Sequence, residues 1–179
     1  PVMYGLTIAN DAKYSYSMDV DEMNLTVLRN SVYAHHDPKK LEADEEYNYV
    51  DAGMQEFTYV LIPHVGSWKD AEVTKRAREL NVRPQAIIET YHEGKLPQKN
   101  SFVSLVSDHV QISAIKEAED QDGVIIRAYE TKNQRGEAVL KAKFMEREET
   151  LHFSPCEIKT IKIPYDANRP IMEVNMLEL

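Results

Sequence analysis

Apolar and polar residues alternate with a period of two along most of the chain, the spacing expected of strands with one face against a core. Gly5–Asn10 and Ala12–Asp19 read as two strands of a hairpin turned at Asn10-Asp11, and Met23–Ser31 as a third strand. Phe57–Ile62 is a β-branched and aromatic run that breaks at Pro63 and turns at Gly66. The spacing then becomes helical, with apolar positions at Ala71, Val73, Ala77 and Leu80, which predicts one short helix near residues 68–81. Ser67 with Asp70 three residues on forms a capping-box-like start, and Asn81 with Pro84 ends the helix. Beyond it the strand pattern returns at Ala86–Tyr91, Ser101–Ser107, Val110–Lys116, Gly123–Glu130, Ala138–Phe144, Thr150–Ser154, Glu157–Ile163 and Ile171–Leu177. The Asp-Gly at 122–123 is a hairpin signal. The pattern predicts a mostly β protein, a β-sandwich in two β-rich halves divided near Arg83. Residues 1–83 form the first half, expected to be part of a larger sandwich, and residues 84–179 the second.

Composition narrows the classes. At 179 residues, with 42% hydrophobic and 28% charged, the chain is of globular type and long enough to bury a core. A formal net charge of −9 argues against nucleic acid, whose phosphates call for clustered Lys and Arg. No apolar run has the length of a membrane span, and the start carries no secretory signal pattern, so the chain reads as beginning inside a longer polypeptide. Acidic residues crowd between Leu41 and Glu56 without the spacing of a calcium loop, which reads as a solvated acidic loop. One cysteine, Cys156, rules out an internal disulfide framework and points to a reducing, cytoplasmic setting. It flanks Pro155 in a strand-like stretch and reads as a packing residue rather than a nucleophile.

Candidate chemistry is sparse. Tyr14, Tyr16 and Met18 share one face of a strand and could stack on a sugar, but such stripes are more often half-buried sheet surface. His35-x-Asp37 places an imidazole and a carboxylate two residues apart; with no third ligand nominated, and with Asp37-Pro38 a turn signal, a polar turn is the better reading. The only tryptophan, Trp68, stands at the helix start as a packing contact. No nucleotide-binding glycine loop, Gly-x-Ser-x-Gly, His-Glu-x-x-His or Cys-x-x-Cys occurs.

Several stretches taken together resemble the C-terminal β region of the cytosolic-type α-mannosidases of glycoside hydrolase family 38. They are Leu6–Tyr14, Leu25–Asn30, Glu56–Asn81, Val110–Asp120, Val124–Glu130 and Leu151–Pro155, in the family's order. The resemblance implies a parent enzyme that removes α-linked mannose with retention, using zinc or another divalent metal and two carboxylates in an N-terminal domain. It carries no catalytic residue and no metal ligand onto this chain, and it implies no cofactor for this region by itself. It implies as partners the catalytic and helical domains of the same polypeptide and a mannose-containing oligosaccharide, with homo-oligomer contacts open. Asn10, Asp11, Lys13 and Tyr14 match the family's Asn-Asp-x-Lys-Tyr segment and are the expected substrate-proximal residues. The alternatives are a stand-alone carbohydrate-binding sandwich, which needs an exposed aromatic platform, and a structural oligomerisation domain.

Overall fold

A computed structural model describes residues 2–32 and 40–179. Its chain divides into two compact units, Pro1–Pro84 and Gln85–Leu179. His35-x-Asp37 lies outside the described residues.

In the first unit, β1 (Tyr4–Asn10) pairs antiparallel with β4 (Tyr59–Val65), and β2 (Tyr16–Asp19) pairs with β3 (Glu22–Leu25). The expected hairpin at Asn10-Asp11 is therefore wrong: β1 takes its partner from some fifty residues downstream, and the local hairpin turns instead at Val20-Asp21. The strand expected over Met23–Ser31 is cut to Glu22–Leu25. Pro63 does not break its strand either, because it sits within β4 opposite Leu6. A two-stranded ribbon leaves one side of β4 without a ladder, and a residue with no N–H is tolerated on that side.

The helix α1 spans Val73–Asn81 and is led in by the Ser67-Asp70 pair. Ser67 Oγ donates to Asp70 Oδ2 at 2.7 Å, and the same carboxylate accepts the Ser67 amide at 2.9 Å. That box closes a turn ahead of the helix proper, whose N-cap position, Glu72, is left-handed with φ 50°. The helix lies against β1, where Val73 and Ala9 are both buried. The 41–56 stretch is a string of turns with its acidic side chains in solvent.

The second unit is a sandwich. One sheet has the order β11 (Met172–Val174), β10 (Ile158–Pro164), β7 (Gly123–Glu130), β6 (Val110–Glu117). The other has the order β5 (Val103–Val106), β8 (Gly136–Ala142), β9 (Arg147–Phe153), with a 3-10 turn at Lys143–Met145 between β8 and β9. All the pairings are antiparallel. Alternate residues meet between the sheets: Ile126, Ala128, Ile161 and Ile163 from one, and Ala138, Leu140, Ala142, Leu151 and Phe153 from the other. Each large apolar side chain buried here contributes about 1.5–3 kcal/mol. The main core cluster belongs to this unit.

Two expectations fail in the second unit. Ala86–Tyr91 has strand chemistry but no ladder, and its side chains lie in solvent. Cys156 is not a packing residue: it is exposed, in a turn with φ 57°, its Sγ 3.7 Å from Asn133 Oδ1.

Candidate functional site

Asn10 and Asp11 end β1 in a turn built from side-chain oxygens. Asn10 Oδ1 accepts the amides of Ala12 at 3.2 Å and Lys13 at 2.5 Å, a local bond pattern that short amide side chains favour. Asp11 Oδ1 accepts the Thr58 amide at 2.8 Å, tying the turn to the approach of β4. The end of α1 braces the same turn, for Asn81 Nδ2 donates to Asn10 O at 3.1 Å and Arg83 Nη2 lies 3.4 Å from Asp11 Oδ2. The Thr58 amide, with a smaller push from Arg83, holds the Asp11 carboxyl below its ordinary value. Asp11 is thus an anion at neutral pH, committed to the backbone.

Lys13 and Tyr14 follow. Lys13 Nζ donates to Gln55 Oε1 at 3.2 Å and sits 5.4 Å from the Phe57 ring centre, so its charge is held along the acidic stretch. Tyr14 is 94% exposed. Of the four expected residues, Asn10 alone lines the adjoining cleft, a volume of about 570 Å³ in the first unit. Its walls are apolar: Leu6 and Ile8 of β1, Met18 and Met23 of the β2/β3 hairpin, and Trp68 before the helix. The structure therefore joins the four residues through one turn but does not gather their side chains around one cavity.

His64 was missed by the sequence reading. Its ring crosses β1, with Nε2 3.3 Å from Thr7 Oγ1 and Nδ1 3.1 Å from Gly66 O. A Cβ on Gly5 would come within 2.2 Å of the ring, so Gly5 is what lets the imidazole lie there. Both ring nitrogens are occupied by these contacts, which makes His64 a brace of the cleft wall. Among the described residues no three His, Cys, Asp or Glu side chains are grouped to hold a metal ion. No described helix is long and apolar enough to cross a membrane.

In the second unit polar chemistry is used for closure. Glu130, at the end of β7, is 4% exposed, and its carboxylate accepts the amides of Lys132 at 2.7 Å and Cys156 at 2.8 Å. Burial works against its charge, yet the amides of Cys156, Lys132, Gln134 and Asn133 prevail and hold the carboxyl below its usual range. On the outer face of the four-stranded sheet, Arg127 Nη2 donates to Met176 O at 3.1 Å, while Glu178 lies 2.8 Å from Lys116 Nζ and 3.5 Å from Arg127 Nη2. Tyr129 OH donates to Gln111 Oε1 at 3.3 Å. Arg127 and Tyr129 are thus hydrogen-bonded within the sandwich.

These features define a β-sandwich protein in which buried or half-buried polar residues such as Glu130, Arg127 and Tyr129 bond within the fold. Residues 109–161 match the family described as glycosyl hydrolases family 38 C-terminal beta sandwich domain, a segment that runs from the start of β6 into β10. Alpha-mannosidase G of Dictyostelium discoideum is 30% identical over 72% of the chain, and Alpha-mannosidase 2C1 of Homo sapiens is 32% identical over 71%. A protein of Halalkalibacterium halodurans provisionally named mannosylglycerate hydrolase is 31% identical over 76%. The chain spans 11% of the length of the first two relatives and 15% of the third. No solved structure matches. The chain belongs to the C-terminal β-sandwich region of glycosyl hydrolase family 38.

Proposed function

We propose that this chain is the non-catalytic C-terminal region of a zinc-dependent, retaining α-mannosidase that hydrolyses α-mannosidic bonds in glycans. The observation that carries the reading is the family match inside the sandwich, joined to relatives of which the chain spans 11–15%. In this reading zinc, which orients sugar hydroxyls, and the two catalytic carboxylates belong to a domain outside these residues. The region's work is support: packing on the catalytic and helical domains, completing the cleft wall, and holding subunits together in the cytoplasm.

The first unit favours such a role. A two-stranded ribbon is marginal by itself, and β1 and β4 present Tyr4, Leu6, Tyr59, Leu61 and Val65 to solvent. A surface of that kind is suited to burial against further protein. The Asn10–Tyr14 turn would then reach the mannose-containing oligosaccharide through Tyr14, the one of the four residues whose side chain is almost wholly free of the fold.

The experiment is turnover of an aryl α-mannoside by the purified 179-residue chain with zinc supplied, beside the native polypeptide that carries this sequence. No turnover by the chain and zinc-dependent turnover by a much heavier native polypeptide is the expected result. Turnover by the chain itself, or a native polypeptide near 20.6 kDa, would overturn the reading.

A further inference from the structure

The sandwich of the second unit buries most of its large apolar side chains, and several exceptions fall in one place. Ile115, Phe144 and Tyr165 are each about half exposed, and together with Phe102 they line a shallow groove of about 600 Å³. Val103 of β5 and Val124 of β7 also line it. The groove runs between β5 and β6, each the edge strand of its sheet, so unpaired backbone groups border it on both sides. Glu117 lies in its wall, bonded there to the Tyr165 hydroxyl at 3.4 Å. The Lys143 amide donates to Phe102 O at 2.9 Å, which fixes Phe102 beside the turn that carries Phe144.

The same unit contains an apolar segment without a partner. Ile88 is 99% exposed and Tyr91 97%, with Ile87 and Leu96 close behind. Ala86–Tyr91 has the residue types of a strand, and side chains of successive residues would face opposite ways on pairing. Leu96 stands six residues before Phe102, so at about 3.3–3.6 Å per residue it is within roughly 20 Å of the groove.

We infer that residues 86–96 are a strap that closes over the groove between β5 and β6 of the same molecule. In the closed state the strap adds backbone hydrogen bonds to an open sheet edge and buries Ile88 on Phe102, Phe144 and Tyr165. The structure holds the open state. The strap is independent of which glycan the parent enzyme acts on.

Tryptic cleavage of the intact chain after Lys95, followed by mass, tests this against a synthetic peptide of residues 85–100. A closed strap slows cleavage at least about tenfold relative to the peptide, because the protease reaches the opened form alone. Phe144→Ser in the groove and Ile88→Asp in the strap each restore most of that factor, and the double variant gains nothing more, as expected of two ends of one contact. Ile88 lies in no element of the fold, so its substitution leaves the sandwich intact and the test does not depend on Phe144→Ser folding. Cleavage at the peptide's rate overturns the inference. Protection that grows with protein concentration overturns it too, since the strap would then sit on a second copy.

Discussion

Glu130→Gln isolates what one buried carboxylate does for the sandwich. The change keeps the size of the side chain and leaves one acceptor oxygen, but it removes the charge and presents an NH2 to an amide donor. Two amides bond the carboxylate directly, from Lys132 at 2.7 Å and Cys156 at 2.8 Å, and between them they join the turn after β7 to the turn before β10. Hydrogen bonds to charged groups contribute about 1.5–3 kcal/mol each and neutral ones about 1, so weakening one and losing the other costs about 2–5 kcal/mol. For a unit of about 95 residues that is a drop in Tm of roughly 8–40 °C. Thermal unfolding by far-UV circular dichroism measures it, with hydrogen exchange of β7 assigning the transition to the sandwich.

The pH dependence has a definite sign. Because the folded carboxyl of Glu130 sits below the unfolded one, its contribution is complete above the ordinary glutamate range and fades as pH falls through the folded value. The gap between parent and variant should therefore be widest near neutrality and close on acidification. A Tm change smaller than about 3 °C at neutral pH would refute the magnitude reasoned from the hydrogen bonds. A gap that stays constant into acid would refute the assignment to charge.

Gly136→Ala should destabilise the sandwich by about 1–3 kcal/mol in urea unfolding, the usual cost of overpacking, because the added Cβ would stand 2.3 Å from His109 Nε2 in a buried site. An undiminished urea midpoint would show that the buried imidazole can step aside. Tyr14→Ala should leave unfolding unchanged within about 0.5 kcal/mol, as expected of a surface position. In the parent enzyme proposed above it should lower turnover of an oligosaccharide; normal folding with unchanged turnover would remove Tyr14 from the proposed substrate's surroundings.

The fold was legible where the information is local. Val124-Ile125-Ile126 marks β7, the Asp-Gly before it turns the β6/β7 hairpin, and Asn81 ends the helix as read. Non-local pairing has no such mark. Nothing around Gly5–Asn10 states that its partner is Tyr59–Val65, and Asn10-Asp11 looked like a hairpin because the same short side chains that turn hairpins also fold back on their own amides at the end of a strand. Cys156 misled for a related reason: its neighbours are strand residues, but Glu130 captures its amide and holds it in a left-handed turn. Of the candidate site, the sequence indicated the four residues of one turn, while the apolar cleft and the bracing of Asp11 by Thr58 and Arg83 depend on contacts across 47 and 72 positions.

The position of Trp68 makes the two units optically separable. It is the sole indole of the chain and lies in Pro1–Pro84, half exposed with Lys69 Nζ 5.6 Å from its ring centre. Emission excited at the red edge of indole absorption therefore comes from the first unit alone, and the sandwich is silent in that channel. An emission shift without loss of the β-sheet signal would mean that the ribbon and helix have let go while the sandwich stands. Sheet loss at constant emission would mean the reverse order.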